Sequence, residues 1–326
     1  MKKQAELFLI SVLALSLLLN GCGSPSSTSP DANSTGDDLN GTISVSGAFA
    51  LYPMMTIWAD EFHQLHPNVQ FDVQGGGAGK GITDTIAGAV DIGMISRSIK
   101  PEEEAQGIFW ISVAKDAVFP IISTENPVID QILAQGFTQE IFNKIYITGE
   151  ITTWGEVVGD STVTDKINVF TRSDAAGAAV QWATYSGGEA QEDLVGVGVN
   201  GEPAMVEVII KDPLGLGFGN LNSIFDLNSG ELIPGILVPP IDLNQNGQVD
   251  PDELYTVKED AFGAVANGIY PSPPSRFENL ATLGKPQGVT LVFLEWVLTD
   301  GQQFLETAGY VPLTVEQQTE ALEKLQ

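Results

Sequence analysis

The densest run of chemistry-bearing side chains in the chain is Asp242-Leu243-Asn244-Gln245-Asn246-Gly247-Gln248-Val249-Asp250-Pro251-Asp252-Glu253. It satisfies every named position of the D-x-[DN]-x-[DN]-G-x5-E calcium loop. Asp242, Asn244 and Asn246 would each give a side-chain oxygen. Gln248 would give its backbone carbonyl, Asp250 a direct or water-mediated ligand, and Glu253 two oxygens. Gly247 makes the sharp turn and Val249 points inward. Pro239-Pro240 precede the loop, so no entering helix is expected. Pro251 can start an exiting helix that runs to about Asn267. The pattern is half an EF-hand, closer to the loop-helix of extracellular calcium modules, and the expected occupant is a structural Ca2+.

Two other segments suit an anion. Gly75-Gly76-Gly77-Ala78-Gly79-Lys80-Gly81 lies between a strand and a helix. Its glycines let backbone N–H groups at a helix N-terminus face negative charge. It is not a P-loop, since Lys80 is followed by Gly81 rather than Ser or Thr. Nor does it form a dinucleotide turn with the expected acid. Arg172-Ser173-Asp174 ends a second strand, before a helix that begins near Ala176. Enzyme chemistry has little support: there is no G-x-S-x-G elbow and no paired-histidine site. His63 and His66 read as surface residues of a helix. The one cysteine, Cys22, excludes an intrachain disulfide and any multi-Cys metal site.

These residues are positioned by strand, glycine turn and helix in repetition, the grammar of α/β folds with parallel strands. Strands are expected at Ile43–Val45, Val69–Gln74, Asp91–Met94, Val113–Ser123 and Ile167–Phe170. Helices are expected at Tyr52–Leu65, Ile82–Ala89, Thr138–Ile145, Gln287–Thr299 and Glu316–Leu325. The 326 residues carry 14 Lys and Arg against 42 Asp and Glu, a net charge of −28. That excess argues against nucleic-acid binding, which needs clustered cations, and suits a soluble, self-repelling surface. Lys2 and Lys3 precede an apolar run, Leu7–Leu19, of about 13 residues, well short of the ~20 of a spanning helix. This is a secretory signal, and Cys22 stands where a bacterial lipobox places its lipidated residue. Residues 23–42 are Ser, Thr, Pro, Asp and Asn with almost no apolar side chain, a disordered linker between a membrane anchor and the body.

The ordered segments resemble the phosphate-binding subunit of ABC importers. The matches are Ser46-Gly47…Tyr52-Pro53, Gln74–Ile82, Asp91–Arg97, Val113–Asp116, Glu125–Val128, Ile151–Trp154, Arg172–Asp174, Gly217-Phe218, Gly268–Pro271 and Gly309–Leu313. The resemblance implies an α/β, two-lobed periplasmic-binding-protein (type II) fold with hinge segments. Lobe 1 would take 43–120 and 219–326, with the calcium loop as an insertion, and lobe 2 would take 121–218. It also implies export, lipid anchoring, a monomer, and capture of phosphate or a related oxyanion for delivery to a permease. The implied site is Ser46, Ala48, Gly77, Ala78, Ser96, Arg172, Asp174, Ala176, Gly177 and Ala178. The chain departs from the family in one direction. Hydroxyls are replaced at Ala48-Phe49-Ala50-Leu51, Ala78, Ile95, Ala176 and Ala178. Each donor lost to a buried anion costs roughly 1.5–3 kcal/mol. The expectation is therefore weak phosphate binding, or a changed ligand that is larger or less polar. A sensor or surface adhesion module without a transport role is the competing reading.

Overall fold

Residues 39–326 are described by the structure, a computed structural model. The signal segment, Cys22 and most of the linker lie outside the described residues. Nine strands follow in chain order: β1 (Gly41–Gly47), β2 (Val69–Gly75), β3 (Ile92–Ile95), β4 (Ile108–Ser123), β5 (Asn168–Arg172), β6 (Val197–Val199), β7 (Gly215–Asn220), β8 (Ile236–Leu237) and β9 (Ser275–Leu283). Their spatial order is β2-β1-β3-β9-β4-β7-β5-β6, with β8 on β4. The parallel pairs β1–β2, β1–β3, β5–β6 and β5–β7 lie toward the two ends. Two long antiparallel strands, β4 and β9, join the halves. Gly41 and Thr42 already pair with Val69 and Gln70, so the sheet begins inside the segment expected to be linker.

Two cores flank this central pair. The first gathers Ile43, Val45, Trp58, Phe62, Ile92, Met94, Phe293, Trp296 and Tyr310. The second gathers Phe119, Phe142, Trp154, Trp182, Phe218, Tyr255 and Tyr270. The expected return to the first lobe at residue 219 is corrected. Leu221, Ile224, Ile236, Ile241, Ala261 and Tyr270 all pack into the second core, so the chain crosses back only along β9. The calcium-type loop therefore belongs to the second lobe. Its exiting helix is also shorter than expected. A single 3-10 turn, Pro251–Glu253, is followed by extended chain, and an α-helix starts only at Lys258. The break draws Tyr255 into the core, where its ring meets Phe119 and Tyr270, each at 5.3 Å. The helix after the glycine run starts earlier than expected, at Ala78. Gly81 lies inside it because a Cβ there would meet Met94 O at 2.8 Å and Gly47 Cα at 2.9 Å. Helix and strands could not approach so closely with any larger residue.

The crossing strands bury a charged cluster. Arg276 donates from Nη2 to Asp116 at 2.8 Å and from Nε to Glu278 at 3.0 Å, and all three side chains are nearly inaccessible. Burial pushes Glu278 up to about 8 and Asp116 up to about 6, with Arg276 opposing both shifts. Folding thus takes up protons here. The stabilisation is complete below the ordinary carboxylate range and is lost as pH rises through these raised values. Exposed carboxylates whose values are lowered are already ionised above pH ~5 in both states, so they add no slope there. Wild-type urea midpoints should therefore fall between about pH 5 and pH 8.5, and Glu278→Gln should flatten that fall. Equal slopes for the two proteins would refute the protonated cluster.

Candidate functional site

The carboxyl ends of β1, β3 and β5 converge with the N-termini of two helices, Ala78–Ile86 and Gly177–Tyr185. The small pocket between them is lined by Ala48, Phe49, Ala50, Gly77, Ala78, Ser96, Arg172, Ala176, Gly177, Ala178 and Asn220. Its free volume is about 10 Å³, at or below what one water needs. The lobes meet directly around it. Gly79 N–H donates to Ala175 O at 3.0 Å, and Asn222 Nδ2 donates to Ala50 O at 3.2 Å. A Cβ on Gly177 would collide with Ser96 Oγ and its carbonyl, so only glycine permits this approach. The arrangement is closed.

Arg172 is the one cation lining the pocket, and it is held on both sides. Nε and Nη2 donate to Asp174 at 2.8 and 2.6 Å, and Nη1 donates to Glu202 at 2.6 Å. Burial works to raise the Asp174 carboxyl, but the Arg172 hydrogen bonds and charge prevail and hold it below the usual range. Glu202 opens the helix Glu202–Lys211 and also accepts from Asn220 N–H at 2.6 Å. The Phe49 ring covers the guanidinium from outside, with the Arg172 Cζ 5.9 Å from its centroid, within cation–π range. A Cβ on Gly75 would stand 2.8 Å from the same ring, so the glycine leaves room for it.

Eight of the ten expected ligand residues line the pocket: Ala48, Gly77, Ala78, Ser96, Arg172, Ala176, Gly177 and Ala178. Ser46 and Asp174 do not. The buried Ser46 hydroxyl donates instead to Asp84 at 2.7 Å, and Asp174 is spent on Arg172 and on Gly201 N–H at 3.0 Å. Not all of the glycine backbone faces the pocket, because Gly76 and Gly77 N–H donate to Gly47 O at 2.9 and 3.0 Å. The remaining main-chain donors include the first N–H groups of the two helices, which have no partner inside a helix, apart from Gly79, which is bonded to Ala175 O. Sequence reading missed Glu202 and Asn220, whose only signal is their position at a helix start and a strand end. It noted Phe49 as a lost hydroxyl but not as a site residue. Arg97 is buried in a two-point pair with Glu103 at 2.6 and 2.9 Å. Lys80 is exposed and pairs with Asp84. His63 is exposed, and Trp58, Trp154 and Trp296 are core residues.

The second cluster is the loop 242–253. Asp242 and Glu253 are buried at 3% and 2% exposure. Asp242 accepts from Asn246 N–H at 3.1 Å and from Gly247 N–H at 2.9 Å. Glu253 accepts from Leu243 N–H at 2.7 Å and from Asp250 N–H at 2.9 Å. Gln245 and Gly247 have φ of +58° and +74°, which coil the chain tightly. The side-chain amides of Asn244 and Asn246 donate to Asp250 at 2.6 and 3.0 Å. Their side-chain oxygens accept from the Asn246 and Gln248 N–H groups at 3.0 and 2.8 Å. Among the described residues no three His, Cys, Asp or Glu side chains group as metal ligands. The donor set here is mixed, with two asparagines and a main-chain carbonyl beside the acids.

Two lobes on crossing strands, closed over a pocket at strand ends and helix N-termini, define a binding protein of the hinged, two-lobed class. The chain belongs to the PBP superfamily, whose domain model matches residues 32–232. It is 24% identical over 321 residues to the phosphate-binding protein PstS of Bacillus subtilis, covering 96% of both chains. Against PstS of Pseudomonas aeruginosa it is 25% identical over 310 residues, covering 88% of both. A putative phosphate ABC transporter substrate-binding protein from Clostridium perfringens, solved with bound phosphate, shares the fold. The TM-score is 0.68 at 21% identity, over 84% of this chain and all of that one. An ABC-type phosphate transport receptor from Vibrio cholerae superposes with a TM-score of 0.62 at 22% identity, over 83% of this chain and 100% of that one.

Removing Arg172 would leave Asp174 and Glu202 facing each other with no cation between them. Stripping one partner from a buried ion pair costs about 3–5 kcal/mol. Arg172→Ala should lose stability of that order in urea unfolding. A loss within ~0.5 kcal/mol, the range of ordinary surface substitutions, would show that the pairs do not hold the site together.

Proposed function

We propose that this chain is the extracytoplasmic solute-binding component of an ABC importer, capturing phosphate or a related oxyanion between its lobes and passing it to a permease. One observation carries the reading: two helix N-termini and a buried arginine converge on one pocket between two hinged lobes. Helix N-termini present unpaired N–H groups and positive potential to an anion. The likeness to phosphate-binding proteins along nearly the whole chain supports the choice of oxyanion. The described residues contain no helix long and apolar enough to cross a membrane. Tethering would come from a lipid on Cys22, with residues 23 to about 40 as the stalk. The protein works as a monomer and by capture rather than catalysis. No nucleophile–base pair lines the pocket, and its arginine is already engaged by carboxylates.

Entry requires the lobes to part, because Gly79–Ala175 and Asn222–Ala50 hydrogen bonds close the cleft. Phe49 must also swing away from Arg172. Anion binding to the closed form then stabilises it by mass action. Inorganic phosphate should raise the melting temperature in proportion to the logarithm of its concentration, whereas chloride at equal ionic strength should not. Identical curves with phosphate and chloride, up to tens of millimolar, would remove the oxyanion reading.

The loop 242–253 is proposed as a structural Ca2+ site. Asp242, Asn244, Asn246, Asp250 and Glu253 would hold the ion together with the Gln248 carbonyl. A hard cation with oxygen ligands suits this donor set. Bound there, the ion would screen three carboxylates packed into one turn of an acidic protein. It would also tie the loop to the second core, where Ile241 is buried. Calcium should raise the melting temperature over a chelated control, and the shift should vanish in the Asp242→Ala, Glu253→Ala double variant. An unchanged shift in that variant would place the calcium elsewhere.

A further inference from the structure

The walls of the Arg172 pocket do not suit a bare tetrahedral oxyanion. Such an ion presents four oxygens, each of which loses water on entry and needs a donor in return. Five of the lining residues here are alanines: Ala48, Ala50, Ala78, Ala176 and Ala178. A sixth is Phe49, whose ring already lies against the guanidinium at 5.9 Å. The side-chain donors on the lining are few: Arg172, Ser96 and Asn220. The first is already shared, and the last has its oxygen engaged but keeps its amide N–H groups. Arg172 is divided between Asp174 and Glu202, and Asn220 turns its side-chain oxygen to Arg276 at 2.5 Å. What remains is main-chain N–H at the helix starts, with the methyls of Ala78, Ala176 and Ala178 on those same turns, and the Phe49 ring with Ala48 and Ala50 on the turn after β1.

We propose that the pocket takes a tetrahedral oxyanion in which one oxygen is replaced by an apolar carbon substituent, as in an organophosphonate, and that Phe49 is the resident cap which this substituent displaces. The proposal rests on the anion-capture reading and names the ligand class of the same site. The three oxygens of a phosphonate would face the N-terminal N–H groups and Arg172. The fourth position, which phosphate would fill with a further oxygen beside methyls and a ring, instead carries carbon. That carbon meets the methyls and takes over the face of the guanidinium that the Phe49 ring covers. With the ring on Arg172 the pocket measures about 10 Å³. The cap is half-buried and belongs to the short turn between β1 and the Tyr52–Leu65 helix. It can move without disturbing either core.

Calorimetric titration of the purified full chain with inorganic phosphate, methylphosphonate and phenylphosphonate tests this, at one pH where all three are dianions. The wild-type protein should bind at least one of the two phosphonates tenfold or more tighter than phosphate. Phe49→Ala, with no ring to displace, should tighten phenylphosphonate by a further threefold or more. Phe49→Trp, a larger cap, should weaken it. Phosphate binding as tightly as both phosphonates would overturn the ligand class while leaving oxyanion capture standing. A phosphonate preference that neither Phe49 variant changes would overturn the role of the cap. No binding of any of the three, to wild type or to Phe49→Ala, would overturn this inference and the oxyanion reading together.

Discussion

A guanidinium buried between two carboxylates governs the rest of this molecule. Arg172 cannot stay charged inside the protein without partners, and its partners come from two directions. Asp174 arrives through the turn that follows β5, and Glu202 through the start of a helix packed behind it. Glu202 also fixes the Asn220 main chain, and the Asn220 side chain accepts from Arg276. Arg276 in turn holds Asp116 and Glu278 on the crossing strands. A continuous polar chain therefore runs from the pocket to the strands about which the lobes must move. Each member has partners that a large displacement would strip away. The alternatives open to such a cluster are a few well-paired arrangements rather than a continuum, which is the condition for a two-state hinge.

The chain carries more acid than base, and the same excess reappears inside. Asp174, Glu202, Asp116 and Glu278 share two arginines. The protein resolves the surplus by protonation at the crossing strands, where burial raises Glu278 and Asp116. At the pocket it does so by hydrogen bonding, with Gly201 N–H adding to Arg172 in holding Asp174 ionised. The pocket therefore stays charged while the hinge stays close to neutral. With two carboxylates on its one arginine, the pocket relies on main-chain N–H groups to offset an anion's charge.

Much of the scaffold was legible in the sequence because it rests on short-range rules. The Tyr52–Leu65 helix, the β2 alternation and the Thr138-capped helix that follows all sit where periodicity and capping place them. The lobe boundary was not legible. Whether residues 221–270 join the first or second core depends on contacts of Leu221, Ile241 and Tyr270 with strands far away in sequence, and no local pattern records those contacts. The pocket was legible wherever a glycine or a helix start marks it. It was opaque at Glu202 and Asn220, which look like ordinary helix-start and strand-end residues. The burial of Arg97 was equally opaque. Its partner, Glu103, belongs to a helix too short to register, Pro101–Glu104.

The contrast between backbone and side chain explains how such a pocket can keep its architecture and change its chemistry. N–H groups at the starts of the Ala78 and Gly177 helices are set by the fold, and no side-chain substitution removes them. Side-chain donors are set one residue at a time, and here much of the lining is methyls and a ring. Exchanging Ser or Thr for Ala in a turn leaves the main chain where it was, so the closed form survives, down to the glycine contact between Gly177 and Ser96. Main-chain donors can hold an oxyanion's charge but do not distinguish its fourth substituent. Selectivity among tetrahedral anions therefore passes to the largest apolar side chain on the pocket lining. In this protein that is Phe49, packed on the arginine that the whole polar chain exists to hold.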